Sequence, residues 1–318
     1  MRSKNASRAT SATRRSRRTI AGAIAAFLLV TLTTVSVIFA AIHRDPRRDP
    51  PTNATEWSRV LTSADSGLRA SVLSSYTLGA RGDAEPPPCG LVADRLSDVE
   101  PVRNEAVGAL IKEVRRSRCV SETIAALDGA TSSLARAAAA RVLGEASASA
   151  VRPQVLDALL RAVSTNAAAR DAATIALGEL RDTSDRALST LRSLFRDAGG
   201  VTRANALETL LHLDVHADTL ARLASEAMRD TSVDVRAAGV ITLERLASDN
   251  ERRSMSVQAL VLALHDAGAE VRARAADALA WIGDTRPAVM SGLAAVRGDT
   301  VARVSAAAGR ALKALRAR

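Results

Sequence analysis

Aromatic side chains are nearly missing: three Phe, two Trp and one Tyr make up 2% of the 318 residues. β-Sandwiches and mixed cores lean on large aromatic and β-branched side chains, and strand-like alternation is also rare, so an all-helical chain packed through small residues is expected. The scarcity also removes the ring platforms on which single-stranded nucleic acids stack. Histidine is limited to His43, His212, His216 and His265. His212 and His216 stand four apart in "HLDVH", a spacing that can hold a metal on one helical face, but there is no adjacent Glu and no obvious third ligand. Gly-rich phosphate loops and Ser nucleophile elbows are absent as well. No catalytic residue, cofactor, metal or small-molecule ligand is therefore expected.

A one-signed charge is lacking over most of the chain. The net charge is +10, but residues 1–18 carry Arg2, Lys4, Arg8, Arg14, Arg15, Arg17 and Arg18 with no acid, which leaves +3 for the rest. A near-balanced body does not describe a nucleic-acid-binding surface. After the basic tail, "TIAGAIAAFLLVTLTTVSVIFAAI" (19–42) runs 24 residues without a charge. As a helix it would cover roughly 36 Å, enough to cross a hydrocarbon core of about 30 Å. The cations crowd its N-terminal side, so the positive-inside bias leaves 1–18 cytoplasmic and 43–318 extracytoplasmic, periplasmic in a Gram-negative cell. A cleaved signal peptide is the rival reading; its apolar region is usually about 7–15 residues, and the greater length here favours an uncleaved anchor. Residues 43–54, with Pro46, Pro50 and Pro51 among charges, read as a stiff tether.

What the chain does have is repetition. "DTSVDVRAAGVITLERLA" (230–247) returns as "DAGAEVRARAADALAWIG" (266–283). Taking the Arg as anchor, a small residue follows at three and an apolar one at seven. This fits Arg103, Arg136, Arg170, Arg203, Arg236 and Arg272, with Ser305 as a last copy and Arg69 as a degenerate first. The intervals are 34, 33, 34, 33, 33, 36 and 33, the long one absorbed by the polar "SDNERRS" (248–254). Such a period means a stacked array, each unit two amphipathic helices joined by a short turn. One hairpin cannot bury its apolar face alone, but stacked neighbours can.

The pattern D-x(5)-R-x(2)-A-x(3)-L, with Val usually just before Arg, resembles the HEAT repeat family, especially its short HEAT-like units of the phycobilisome-lyase type, over about residues 55–318. The signatures of tetratricopeptide and ankyrin repeats, which have similar periods, are absent. The resemblance implies a curved α-solenoid of about eight hairpins, used mostly as a protein-binding scaffold. It also implies bonds between neighbouring repeats from the anchors Arg103, Arg136, Arg170, Arg203, Arg236 and Arg272 to Asp197, Asp230, Asp266 and Asp299, which each stand six residues before an anchor. The ends suggest a direction. The last copy has Ser305 for Arg and the first has Ser63 for Asp, as if each Arg reached the Asp of the next repeat, although Ala130 and Ser164 also replace Asp. Those Asp residues fall in the inter-helix turn, where a carboxylate can cap the second helix. The His-Glu pairs of the metal-dependent hydroxylases built on HEAT repeats are absent. A lyase of bilin chromophores would offer a tetrapyrrole pocket, which few aromatics and an export signal fit poorly.

Cys89 should open the first helix of the second repeat and Cys119 should follow its second helix. Those ends adjoin in an antiparallel hairpin, so a disulfide is expected on the oxidising side of a membrane, with two free thiols as the alternative. The second helices should line the concave face. Positions two, five and nine after the anchors then point to solvent and include Glu105, Lys112, Arg141, Glu145, Glu179, Glu208, His212, Arg245, Arg274, Asp277 and Trp281. Of these, Glu145, Glu179, Glu208, Arg245, Arg274, Asp277 and Trp281 are the candidate protein-binding residues, with Trp281 as an aromatic anchor unless it is core. The expected protein is an all-α solenoid preceded by one transmembrane helix, a non-catalytic scaffold holding a protein partner outside the cytoplasm. The alternatives are a lyase-like or enzyme-accessory HEAT protein and a soluble binding protein exported after signal cleavage.

Overall fold

The computed structural model describes residues 51–79, 85–213 and 215–317. The basic tail, the charge-free stretch 19–42 and the tether up to residue 50 lie outside them, as does the side chain of Asp197. The described residues form sixteen α-helices and no strand, and none of these helices is long and apolar enough to cross a membrane.

The helices pair as eight hairpins: α1 Ala54–Leu61 with α2 Ser66–Thr77, α3 Cys89–Asp94 with α4 Glu100–Val114, α5 Val120–Gly129 with α6 Ser133–Gly144, and α7 Arg152–Thr165 with α8 Arg170–Glu179. Then follow α9 Asp185–Asp197 with α10 Gly200–His212, α11 Ala217–Ala227 with α12 Val233–Leu246, α13 Asn250–Ala263 with α14 Ala269–Ile282, and α15 Pro287–Val296 with α16 Ala302–Arg316. Local chemistry marks the boundaries. The Asn53 and Asp65 side chains each accept a backbone N–H of the first turn at 3.0 Å, so residues 51–53 serve the start of α1 rather than the tether. Pro101, Pro153 and Pro287 sit in first turns, where a missing N–H costs nothing. Gly283 ends α14 at φ 75°, a left-handed position that suits glycine.

The second helices (α2, α4, α6 and so on) pack against one another in an unbroken row, while the first helices approach one another less closely. The tighter row is the inner layer of a curved array. Each inner helix between the two ends is covered on three sides, and α12 accordingly buries Val235, Ala237, Ala238, Gly239, Val240, Thr242, Leu243 and Leu246, whereas its successor first helix α13 buries only Ser256, Val257, Leu260 and Ala263. The leucine seven residues after each anchor, from Leu110 to Leu312, is at most 4% exposed. Each such burial contributes about 1.5–3 kcal/mol before chain entropy is counted. Small residues set the spacing: a Cβ on Gly144 would lie 3.1 Å from the Ala176 backbone of the next inner helix. What remains uncovered is one stripe per inner helix, and those stripes line up along the array.

The N-terminal hairpins depart from the template. Tyr76 stands where later repeats have Leu, and its hydroxyl donates to the Glu113 carboxylate, itself 1% exposed. Burial first, and the Glu113 carboxylate second, push the phenol far above its ordinary range. The Trp57 ring meets Tyr76 edge-on at 5.8 Å, and the Lys112 ammonium lies 4.1 Å from the Tyr76 ring centre. Arg118 Nε stands 3.3 Å from Glu113. Beside this cluster Cys89 and Cys119 form a disulfide, with Cα atoms 4.9 Å apart, joining the start of α3 to the residue before α5.

Candidate protein-binding groove

The groove rests on a ladder that fixes the spacing of the inner helices. Arg203 donates to both oxygens of Asp230 at 3.1 and 2.6 Å, Arg236 to Asp266 at 2.8 and 2.9 Å, and Arg272 to Asp299 at 2.8 and 3.0 Å. In every case the Asp belongs to the next hairpin. Arg236 also donates to the Asp230 carbonyl at 2.9 Å and Arg272 to the Asp266 carbonyl at 2.8 Å, so one guanidinium clamps its own turn and the neighbouring one. Burial raises the Asp230 and Asp266 carboxyls, but the Arg hydrogen bonds and a turn N–H outweigh it and hold both below their ordinary range. Asp299 is lowered chiefly by its Arg272 bond.

The Asp residues do not cap the second helices. Their side chains accept the N–H two residues on, Ser232 at 2.7 Å, Gly268 at 2.7 Å and Val301 at 2.9 Å, and so order the turn before the helix begins. Nor is the ladder uniform. Ala130 stands where the template would give Arg103 an Asp, and Arg103 donates to the Asp98 carbonyl of its own turn at 2.9 Å. Arg136 takes the Asn166 side-chain oxygen at 3.3 Å. Arg170 donates to the Val163 carbonyl at 2.8 Å, and its expected partner carboxylate, on Asp197, is outside the described atoms. A further rung joins Arg69 to Asp98 at 2.9 and 2.7 Å. Asp98 stands five residues before its anchor instead of six, so a fixed-offset template passes over it; allowing one residue of slack finds it.

Along the uncovered stripe, several charges towards the two ends pair with one another. Arg115 pairs with Glu145 at 2.6 Å and Arg310 with Asp277 at 3.1 Å, while Glu270 takes both Arg274, at 2.6 Å, and Arg303. Lys112 donates to the Tyr76 carbonyl, and Glu105 is half-buried. Glu244, absent from the sequence-based set, is held above the usual carboxylate range by burial, with Asp277 adding to the shift and Arg274 opposing it. Trp281 is not core: 60% of it is exposed, on α14.

The middle of the stripe is different. Among the described residues neither Glu179 nor Glu208 has an ion-pair partner. A hollow of about 220 Å³ lies between α8 and α10, lined by Ile175, Gly178, Glu179, Asn205, Glu208 and His212. It adjoins a second of about 520 Å³, lined by Arg181, Glu208, Leu211, His212, Ile241 and Arg245. His212 and Glu208 are common to both, so the two form one groove across α8, α10 and α12. His216 instead opens α11 on the way out, its ring 3.7 Å from Asp218. Among the described residues no group of three or more His, Cys, Asp or Glu side chains is placed to hold a metal.

The family model for HEAT repeats matches residues 120–211, which span α5 into α10. Similar solved structures include an archaeal HEAT-like repeats protein from Thermococcus onnurineus NA1, 16% identical over 73% of this chain and 98% of that one, with a TM-score of 0.44. An engineered protein is 19% identical over 86% and 79% of the two chains, TM-score 0.42. Human deoxyhypusine hydroxylase in complex with glycerol is 18% identical over 83% and 96%, TM-score 0.35. No curated protein matches the sequence.

Proposed function

We propose that this chain is a non-catalytic, membrane-anchored scaffold whose solenoid stands outside the cytoplasm and holds a partner protein in the groove across α8, α10 and α12. One observation carries the reading. An open groove, with exposed Ile175 and two carboxylates that have no ion-pair partner among the described residues, lies between stretches of the stripe where Arg115 pairs with Glu145 and Arg310 with Asp277. A groove of that kind suits a protein segment better than a small enclosed ligand. The placement is supported by the charge-free run at 19–42 with its cationic N-terminal flank, and by the Cys89–Cys119 bridge, which fits an oxidising compartment.

Photo-reactive residues placed singly at 175 and 241, and at 222 on the outer helices as a control, test this in intact cells. Membrane-associated adducts with one protein at 175 and 241 but not at 222 are expected. Equal labelling at all three sites, or none, contradicts it.

A further inference from the structure

Five residues after successive anchors stand Arg141, Ile175, Glu208, Ile241 and Asp277, one per inner helix, so the middle of the groove alternates apolar, acidic, apolar. Ile175 is 46% exposed and Ile241 is half-buried, so both offer aliphatic surface to a ligand. Glu179 joins Glu208 around the hollow, whose wall at Gly178 carries no side chain; a Cβ there would lie 3.1 Å from Thr209 Cγ2 and 3.8 Å from His212 Cδ2. Two carboxylates with no ion-pair partner across a hollow of about 220 Å³ suit one cationic side chain, with aliphatic carbon on either side of its head. Arg181 lines the adjoining hollow and disfavours a second cation there.

Spacing gives the rest. Packed helices lie about 8–10 Å apart, which puts Ile175 and Ile241 roughly 20 Å apart with Glu208 midway. A chain in the extended polyproline II conformation rises about 3.1 Å per residue, returns every third side chain to the same face and covers that span in about six. We propose that the groove selects an extended protein segment of the form aliphatic-x-x-basic-x-x-aliphatic, the Lys or Arg seated between Glu179 and Glu208. This rests on the scaffold reading and adds the chemistry of the partner.

The test uses the full chain in detergent and two fluorescent peptides, one containing Leu-Ser-Ser-Arg-Ser-Ser-Leu and one with Glu in place of Arg, followed by anisotropy. The Arg peptide should bind roughly tenfold more tightly, and Glu208→Gln should collapse that ratio toward one. Ile175→Ser or Ile241→Ser should weaken both peptides alike and leave the ratio intact. Circular dichroism and melting establish that each variant is folded. Equal binding of the two peptides, no binding of either, or an unchanged ratio in Glu208→Gln overturns the proposal. Adducts of a protein at 175 and 241 alongside such a result would leave the scaffold reading standing, whereas a basic preference without adducts would sink the scaffold reading alone.

Discussion

Arg236 and Arg103 occupy the same place in their repeats but have different partners. Arg236 grips both oxygens of Asp266 and its own turn, whereas Arg103 bonds only the carbonyl of its turn. Arg236→Ala leaves a half-buried carboxylate without its cation and should cost about 2–4 kcal/mol, while Arg103→Ala should cost about 1 kcal/mol, both read from thermal or denaturant melts. Acid should act on the same rungs. Asp98, Asp230, Asp266 and Asp299 are all held below the ordinary carboxylate range in the folded chain. Their contribution is therefore complete above the unfolded value of about 4 and is lost as pH falls through the lower folded values. Melting temperature should drop on acidification below about pH 4, and Asp230→Asn with Asp266→Asn should flatten that drop. At this scale the sequence shows Arg236 and Asp266 readily, because both sit on the template. It hides the Tyr76–Glu113 bond, which joins residues 37 apart and recurs nowhere else in the array.

Hairpins are the units that the period makes legible. A small residue at three and Leu at seven after the anchors from Arg103 on declare an inner helix, since a helix covered on three sides needs small and apolar residues at many positions. The turn chemistry is less legible: whether Asp caps a helix or orders the turn before it depends on one or two residues of backbone, and Asp230 does the latter. The pairing of stripe charges is hidden for a related reason. Arg115 finds Glu145 and Arg310 finds Asp277 from different repeats, and a list of exposed positions cannot say which long side chains meet. The second hairpin also carries the disulfide, which closes a loop across a separation of 30 residues. Denatured but unreduced protein should show no free thiol, and reduction should cost about 3–4 kcal/mol on the chain-entropy relation. Exchange with solvent should then rise first in α1 to α5, because repeats contact only their neighbours.

At the largest scale the described residues form a quasi-one-dimensional stack with its tighter row inside, and the groove belongs to no single repeat. Ile175, Glu208 and Ile241 come from three different inner helices, so the site exists only when those hairpins are in register. The ladder holds that register on the C-terminal side, where Arg203 and Arg236 tie the fifth, sixth and seventh hairpins together. A partner seated there should slow exchange across elements far apart in sequence and leave the outer layer untouched. Hydrogen exchange on the full chain, with and without the protein caught by crosslinking at 175 and 241, shows whether the partner sits in the groove. The account predicts protection in 175–181, 205–212 and 241–245 with α9, α11 and α13 unchanged. Protection confined to those outer helices, or to the paired stripe ends near Glu145 and Asp277, would contradict it.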